Sequence, residues 1–230
     1  MAATPAQGTS SPVSPAAALG FVAGFDNTET FPFFDKLDSD QGLAGTRFYD
    51  EPDDHWCLLA EICSVERFLR VRLVARDCEG RSFVIAFYPD AARAGDIDTA
   101  RLQPGHTVAI LYANQHFFLD GTDGVRVENL SACRVFPVGL GALFRIGADC
   151  CDYSGAGGER KKCHGCGRED VGLVRCGRCD FFYYCDKVCQ EVGWKRKGHR
   201  LACRVVADPA FKALLTLPRV RGTDRFRFPT

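Results

Sequence analysis

The sequence predicts a chain of two parts, a mainly β N-terminal domain followed by a small, cysteine-rich α+β unit. Hydrophobic and polar residues alternate through the middle of the chain, which is the pattern of half-buried strands. Seven of the 13 cysteines fall within residues 163–203. The charge also changes sign, because residues 1–154 carry 12 Lys and Arg against 21 Asp and Glu, whereas residues 155–230 carry 17 against 8.

Composition restricts the class of protein before any motif is considered. The 230 residues are 46% hydrophobic and 25% charged, which is typical of a globular protein and excludes a wholly disordered chain. No apolar run reaches the ~18–20 residues of a membrane span, so we expect no membrane partner. The first basic residue is Lys36, which predicts no secretory signal and an intracellular location, in the nucleus, the cytoplasm or both. In such a reducing compartment, an odd number of cysteines favours metal binding over disulfide bonds.

We predict that residues 1–20, rich in Pro, Ala, Ser and Thr, are a flexible tail and that residues 21–138 form the β domain. Period-two patterns predict strands at Trp56–Cys63, Leu69–Asp77, Phe83–Phe87 and Val108–Tyr112, and Val125 and Val127 with Val135–Val138 close the β-rich region. About five strands with one longer link between the third and fourth resemble a small OB-fold barrel. The resemblance covers roughly residues 55–138 and depends on pattern alone, so another small antiparallel barrel or sandwich stays open.

The region after the strands is predicted in three pieces. Residues 139–160 are expected to be a linker because glycine is frequent around 154–158. The cysteine-rich unit is predicted over residues 161–205. Residues 206–230 are expected to form a short helix, capped by Asp208 and ended by Pro218, and then a basic tail.

Eight potential metal ligands occur in this unit as four closely spaced pairs. They are Cys163 and Cys166, Cys176 and Cys179, Cys185 and Cys189, and His199 and Cys203. A structural Zn²⁺ takes four Cys or His ligands, so eight ligands predict two structural zinc ions with no open position for catalysis. The two CxxC pairs suit short turns, whereas pairs four residues apart suit one face of a helix, with Asp186 as a candidate N-cap.

Residues 163–203 resemble a MYND-type zinc finger in ligand order and in their aromatic residues. Tyr183 and Tyr184 precede the fifth ligand, Gln190 follows the sixth, and Trp194 lies on the predicted helix. The resemblance implies interleaved pairing, in which the first and third pairs hold one zinc and the second and fourth hold the other. Spacing alone is equally compatible with two sequential sites.

The resemblance departs from the family in the long interval before the histidine ligand. Nine residues separate Cys189 from His199, and Gly198 lies immediately before the histidine, which predicts a bend or a restart of the helix there. His164 lies inside the first CxxC pair and is expected to face solvent.

The resemblance implies a function in protein–protein interaction. MYND fingers bind short proline-containing peptides as an extended strand in a shallow groove beside the second zinc. Gln190 and Trp194 match positions used in that groove, and on a helix residues four apart point the same way. We therefore expect an adaptor that docks a proline-containing segment of a regulatory partner; the alternative is that Trp194 belongs to the core of a small domain.

Two other classes of function fit the sequence less well than an adaptor does. Single-stranded nucleic-acid binding by the OB-like domain is suggested by aromatic residues and a row of arginines: Tyr88, Tyr112, His116, Phe117, Arg70, Arg72 and Arg76. The net negative charge of residues 1–154 opposes binding to a polyanion. The chain contains no GxSxG, P-loop or HExxH pattern and nothing that resembles the catalytic motifs of SET-domain methyltransferases, so we expect no enzyme.

Overall fold

The N-terminal part is built around one seven-stranded sheet. The computed structural model describes residues 24–40, 55–89, 100–153, 161–170, 172–220 and 224–229. The strands of the sheet are β1 (Cys57–Glu66), β2 (Arg72–Arg76), β3 (Ser82–Phe87), β4 (Thr107–Leu111), β5 (His116–Phe117), β6 (Asp123–Val127) and β7 (Cys133–Phe136). Their order is β5-β6-β3-β2-β1-β4-β7, and all neighbours are antiparallel except the parallel pair β3 and β6. In this part of the chain the sheet is not a closed barrel, and the OB-like class stays a prediction.

The C-terminal part combines short helices with two-residue strands. The helices are α1 (Leu140–Tyr153), α2 (Lys187–Lys195), α3 (His199–Val206) and α4 (Pro209–Thr216). The short strands are β8 (Lys161–Lys162), β9 (Glu169–Asp170), β10 (Val174–Arg175) and β11 (Tyr183–Tyr184). β8 pairs with β9 and β10 with β11, each antiparallel. None of the helices in the described ranges has the length and apolar character needed to span a bilayer.

β1 is buried on both faces and separates two hydrophobic cores. Successive side chains of a strand point to opposite faces. Leu58, Ala60 and Ile62 therefore point into the sheet core, which also contains Leu73, Ala75, Phe83, Ile85, Val108, Ile110 and Val125. Cys57 and Leu59 point the other way, into a second core. This double burial explains why β1 begins as a continuous apolar run.

The second core, here called the shared core, joins the sheet to the C-terminal part. Its members include Cys57, Leu59, Leu111 and Phe136 from the sheet, Leu143, Ile146 and Cys150 from α1, Phe182 and Cys203 from the cysteine-rich unit, and Phe211 and Leu214 from α4. The ring centroid of Phe211 lies 5.9 Å from that of Phe136 and 5.7 Å from that of Phe25. The cysteine-rich unit is thus packed against the sheet through α1 and α4.

The stretch 139–160 was expected to be a linker, and that expectation is wrong for residues 140–153, which form α1. The buried residues Leu140, Leu143, Ile146, Gly147 and Cys150 follow the spacing of one helix face. At the start of the helix, the Leu140 N–H donates to the Glu61 carboxylate at 2.8 Å. The glycine-rich residues 154–160 and the predicted tail 1–20 lie outside the described residues, and the predicted domain boundaries stay predictions.

The chain end returns to the sheet. Asp208 Oδ1 accepts a hydrogen bond from the Ala210 N–H at 2.8 Å and so caps α4, with Pro209 in its first turn. Further on, the Phe226 N–H donates to the Tyr112 hydroxyl at 2.6 Å, and Phe228 is buried. The segment predicted as a basic tail therefore contacts the β domain through its aromatic residues.

Candidate metal centre and adjacent groove

The structure brings the eight predicted metal ligands together as two groups of four. The first cluster is Cys163, Cys166, Cys185 and Cys189, and the second cluster is Cys176, Cys179, His199 and Cys203. Within each cluster all ligand atoms lie within 4.8 Å of one another. The grouping is the interleaved one that the resemblance implies, and not that of two sequential sites.

The distances between ligand atoms fit two tetrahedral zinc ions. Two sulfur atoms bound at about 2.3 Å to one tetrahedral ion lie about 3.8 Å apart, and a sulfur and a nitrogen lie slightly closer. The Sγ atoms of Cys166 and Cys185 are 3.6 Å apart, and those of Cys176 and Cys203 are 4.0 Å apart. Cys179 Sγ lies 3.4 Å from His199 Nε2. Each cluster could therefore hold one zinc ion with four protein ligands.

The first cluster is shaped by a tight turn and a helix start. The carbonyl of Cys163 accepts from the Gly167 N–H at 2.8 Å, and Gly167 has a left-handed φ of 82°. A Cβ on Gly165 would lie 2.4 Å from the carbonyl oxygen of Cys189, so only glycine permits this approach of the turn to α2. Asp186 accepts from the Cys189 N–H at 2.8 Å and caps α2, which places Cys185 just before the helix.

The second cluster is completely buried, and its histidine is held by neighbours. Gly198 has a left-handed φ of 74° and separates α2 from α3, so His199 begins a new helix that also carries Cys203. Since Nε2 faces Cys179, Nδ1 is free to bond the Tyr184 hydroxyl. Burial lowers the pKa of His199 to about 4, which keeps the imidazole neutral, the form that binds a metal.

His164 was expected to face solvent, and that expectation is wrong. It is 2% exposed and packs against the rings of Tyr153, 4.8 Å away, and Phe182, 4.4 Å away. The turn that presents Cys163 and Cys166 projects the side chain between them inwards, against the end of α1. Burial lowers the pKa of His164 to about 4, so it is a neutral packing residue.

The comparisons with known proteins concern the same segment. The family model described as MYND finger matches residues 163–203. Residues 163–203 form a MYND finger. Two curated relatives, the histone-lysine N-methyltransferases Smyd1 of Mus musculus and SMYD1 of Homo sapiens, are each 39% identical over 44 residues. That match covers 19% of this chain and only 9% of each relative, so it concerns the finger and not a methyltransferase domain.

The two predicted peptide-binding residues of the MYND finger occupy different surroundings. Trp194 is half-buried, with its ring centroid 5.4 Å from that of His199, and it lines a groove of about 580 Å³. The other residues of this finger groove are Lys195, Gly198, Arg200, Leu201 and Arg204. Gln190 is exposed one turn earlier on α2 and is not among the residues that line the groove. Leu201 also lines the groove and is 50% exposed. The sequence motif did not identify it as a functional residue.

Five of the six cysteines outside the MYND finger have a thiol pKa above its ordinary value. Burial raises the pKa of Cys57 and Cys150, and desolvation raises that of the partly buried Cys133 to about 12. Desolvation also raises the pKa of Cys78 and Cys151. Because only the thiolate reacts, a raised pKa makes these five thiols poor nucleophiles.

Proposed function

We propose that this protein is an adaptor whose MYND finger binds a proline-containing segment of a partner protein. The observation that carries the proposal is the finger groove, in which the half-buried Trp194 and the half-exposed Leu201 form an apolar surface directly beside the second cluster. Proline segments are already extended in solution, so they lose little conformational entropy on an aromatic surface. The finger would supply the surface, and the two zinc ions would fix its shape.

Basic residues around the finger groove favour proline-containing segments that also carry acidic residues. Lys195, Arg200 and Arg204 surround its apolar surface, and together they favour a partner segment with acidic residues beside the proline. Gln190 lies one turn away on α2 and offers an amide to the backbone of a longer peptide. We propose that such a peptide runs along α2 from the groove towards Gln190.

Binding of proline-containing peptides from a displayed library to the full, zinc-loaded chain tests this function. Trp194→Ala should lower the affinity of a selected peptide by more than about tenfold, because it removes the central aromatic contact. Val188→Ala changes an exposed residue of the same helix outside the groove and should leave binding unchanged.

Two further measurements distinguish a loss of peptide binding from a loss of folding. Each variant must retain two equivalents of zinc by elemental analysis, since Trp194 also packs against a predicted ligand. Leu201→Ser alters the groove through a half-exposed residue and should weaken the same peptide. Equal peptide affinity in both groove variants and the Val188 control would refute the proposal.

We also propose that the protein is not an enzyme and works in the nucleus or cytoplasm. Four protein ligands per zinc leave no coordination position for a substrate or a water nucleophile. Outside the finger, the raised pKa values of Cys57, Cys133 and Cys150 disfavour the thiolate. A regulatory partner in transcription or in protein turnover fits an adaptor of this kind.

A further inference from the structure

A second groove, on the β domain, lies between two loops with exposed hydrophobic side chains. The loop 67–71 joins β1 to β2, and the loop 118–122 joins β5 to β6. On the first, Phe68 and Leu69 are 94% and 89% exposed. Beside the second, Phe117 is 55% exposed and Leu119 is fully exposed. All four line one cavity of about 680 Å³, the β-domain groove. A cluster of this kind on a monomer typically marks an interaction site.

The floor of the β-domain groove is a tyrosine held between two arginines. β3 lies between β2 and β6 in the sheet, and Tyr88 directly follows β3. The guanidinium carbon of Arg70 lies 3.9 Å from the Tyr88 ring centroid, and that of Arg126 lies 4.5 Å from it. Because the two arginines come from opposite sides of β3, they flank the ring. Both contacts are cation–π interactions that fix the ring in place.

The charges of the β-domain groove are mostly neutralised by neighbours. Arg72 forms an ion pair with Asp120 at 2.7 Å, and Arg126 forms one with Glu128 at 2.7 Å. For Arg70, by contrast, no ion pair with a carboxylate occurs among the residues that the structure describes, and its guanidinium stacks on the Tyr88 ring. Within the described ranges, Arg70 is therefore the arginine of this groove without an ion pair to a carboxylate, and it lies beside four exposed apolar side chains.

We propose that the β-domain groove binds a segment of a partner protein that carries apolar anchor residues and an acidic residue opposite Arg70. The leucine and phenylalanine side chains of the two loops provide apolar contacts, and the Arg70 guanidinium complements one carboxylate. This site is separate from the finger groove and does not depend on it, since its residues all belong to the sheet and its loops.

The same observations disfavour a nucleic acid as the occupant. The structure does bring Tyr88, His116 and Phe117 into one groove, but the Tyr112 hydroxyl is bonded to His55 and to the chain end instead. A single-stranded nucleic acid requires a positive groove and free ring faces. Here most cations are paired with carboxylates, and the Tyr88 ring is already flanked by two guanidinium groups, so a base would have to displace one.

Selection of short random peptides by the full, zinc-loaded chain tests the proposal. To keep the finger groove out of the selection, the bait is the Trp194→Ala variant. We expect enrichment of peptides with two or more large apolar residues and an Asp or Glu. A peptide so selected should lose more than about tenfold in affinity with Leu69→Ser or Leu119→Ser, which alter only exposed side chains.

Charge reversal and a matched control make the result specific. Arg70→Glu should change the selected charge from acidic to basic, whereas Val188→Ser, an exposed residue on the MYND finger, should leave the peptides unchanged. A labelled single-stranded RNA of mixed sequence is the second probe. RNA binding that falls with Arg70→Glu would overturn the proposal in favour of a nucleic acid. The proposal would also be overturned if no peptides are enriched, or if the selected peptides bind Leu69→Ser and Leu119→Ser with unchanged affinity.

Discussion

At the scale of single residues, the hydrogen bond between Tyr184 and His199 controls the second cluster. The tyrosine hydroxyl bonds Nδ1, and this leaves Nε2 directed at the other ligands. A partner on the second ring nitrogen fixes both the tautomer and the orientation of a ligating histidine. Tyr184 is 2% exposed, so no water molecule can replace it freely.

We predict that Tyr184→Phe weakens zinc binding at the second cluster and spares the first. The expected loss in affinity is about 10- to 100-fold, because the ring packing is retained and only the orienting bond is removed. Competition with a coloured chelator measures the two sites separately. Tyr183→Phe, on the neighbouring and more exposed residue, serves as the control and should titrate as the wild type does. Equal affinities in the two variants would contradict the orienting role.

Residue identities in the metal centre could be predicted from the sequence, whereas their surroundings could not. Cys163 and Cys166 are only three residues apart, so a single turn brings them together. The other ligands are spaced nearly as closely, and the sequence therefore predicts all eight as four pairs. The burial of His164 depends on the end of α1, which lies outside the motif, and so it could not be predicted from the spacing. The same holds for the bond from Tyr184, which needs the actual turn at Gly198 to bring His199 within reach.

At the scale of elements, α1 is positioned by a glycine in contact with an aromatic ring. A Cβ on Gly147 would lie 2.8 Å from two ring carbons of Phe25. The Phe25 ring in turn packs against Phe31 at 4.9 Å and against Phe211 of α4. The absence of a side chain at Gly147 therefore permits three elements to meet in the shared core.

Two glycine substitutions in α1 should change stability in opposite directions. Gly147→Ala should destabilise the protein by about 1–3 kcal/mol, because the added methyl group displaces Phe25 from a filled core. Gly141→Ala should stabilise it by up to about 1 kcal/mol, since the nearest atom to its Cβ, Arg145 Nη1, is 3.9 Å away. Thermal unfolding of the zinc-loaded chain measures both.

A compensating change identifies the cause of the Gly147→Ala effect. Combining it with Phe25→Leu should recover part of the lost stability, because the smaller side chain leaves room for the methyl group. If thermal unfolding shows that Gly147→Ala stabilises the protein as much as Gly141→Ala does, this result would contradict the close packing of α1 against Phe25.

Elements were predictable where their burial follows a simple period. β1, β2 and β4 lie close to the predicted strands, because their alternation or continuous apolar run is local information. α1 was not predicted, since its glycines suggested a linker while its amphipathic face depends on a surface supplied by other elements. The parallel pairing of β3 with β6 likewise joins distant segments, which hairpin signals do not reveal.

At the scale of the whole molecule, the MYND finger and the β domain share one core. Cys203 and Phe182 of the finger belong to the same buried cluster as Leu59 and Phe136 of the sheet. Zinc binding stabilises the fold of the finger, because a unit of about forty residues buries too little apolar surface to fold alone. Since the finger covers α1 and α4, zinc binding should stabilise elements that contain no ligand.

We therefore predict that removing zinc from the intact chain loosens α1 and α4 along with the finger. After chelation, amide hydrogen exchange at Ile146 and Leu214 should accelerate by at least about tenfold, because their shared core becomes exposed to water. Amides at Leu73 and Ile85 should keep their protection, since these residues face the sheet core. Readding zinc is the control and should restore every rate. If residues 163–203 exchange freely while α1 and α4 remain protected, the finger is an independent unit and the shared core contributes nothing to its coupling with the sheet.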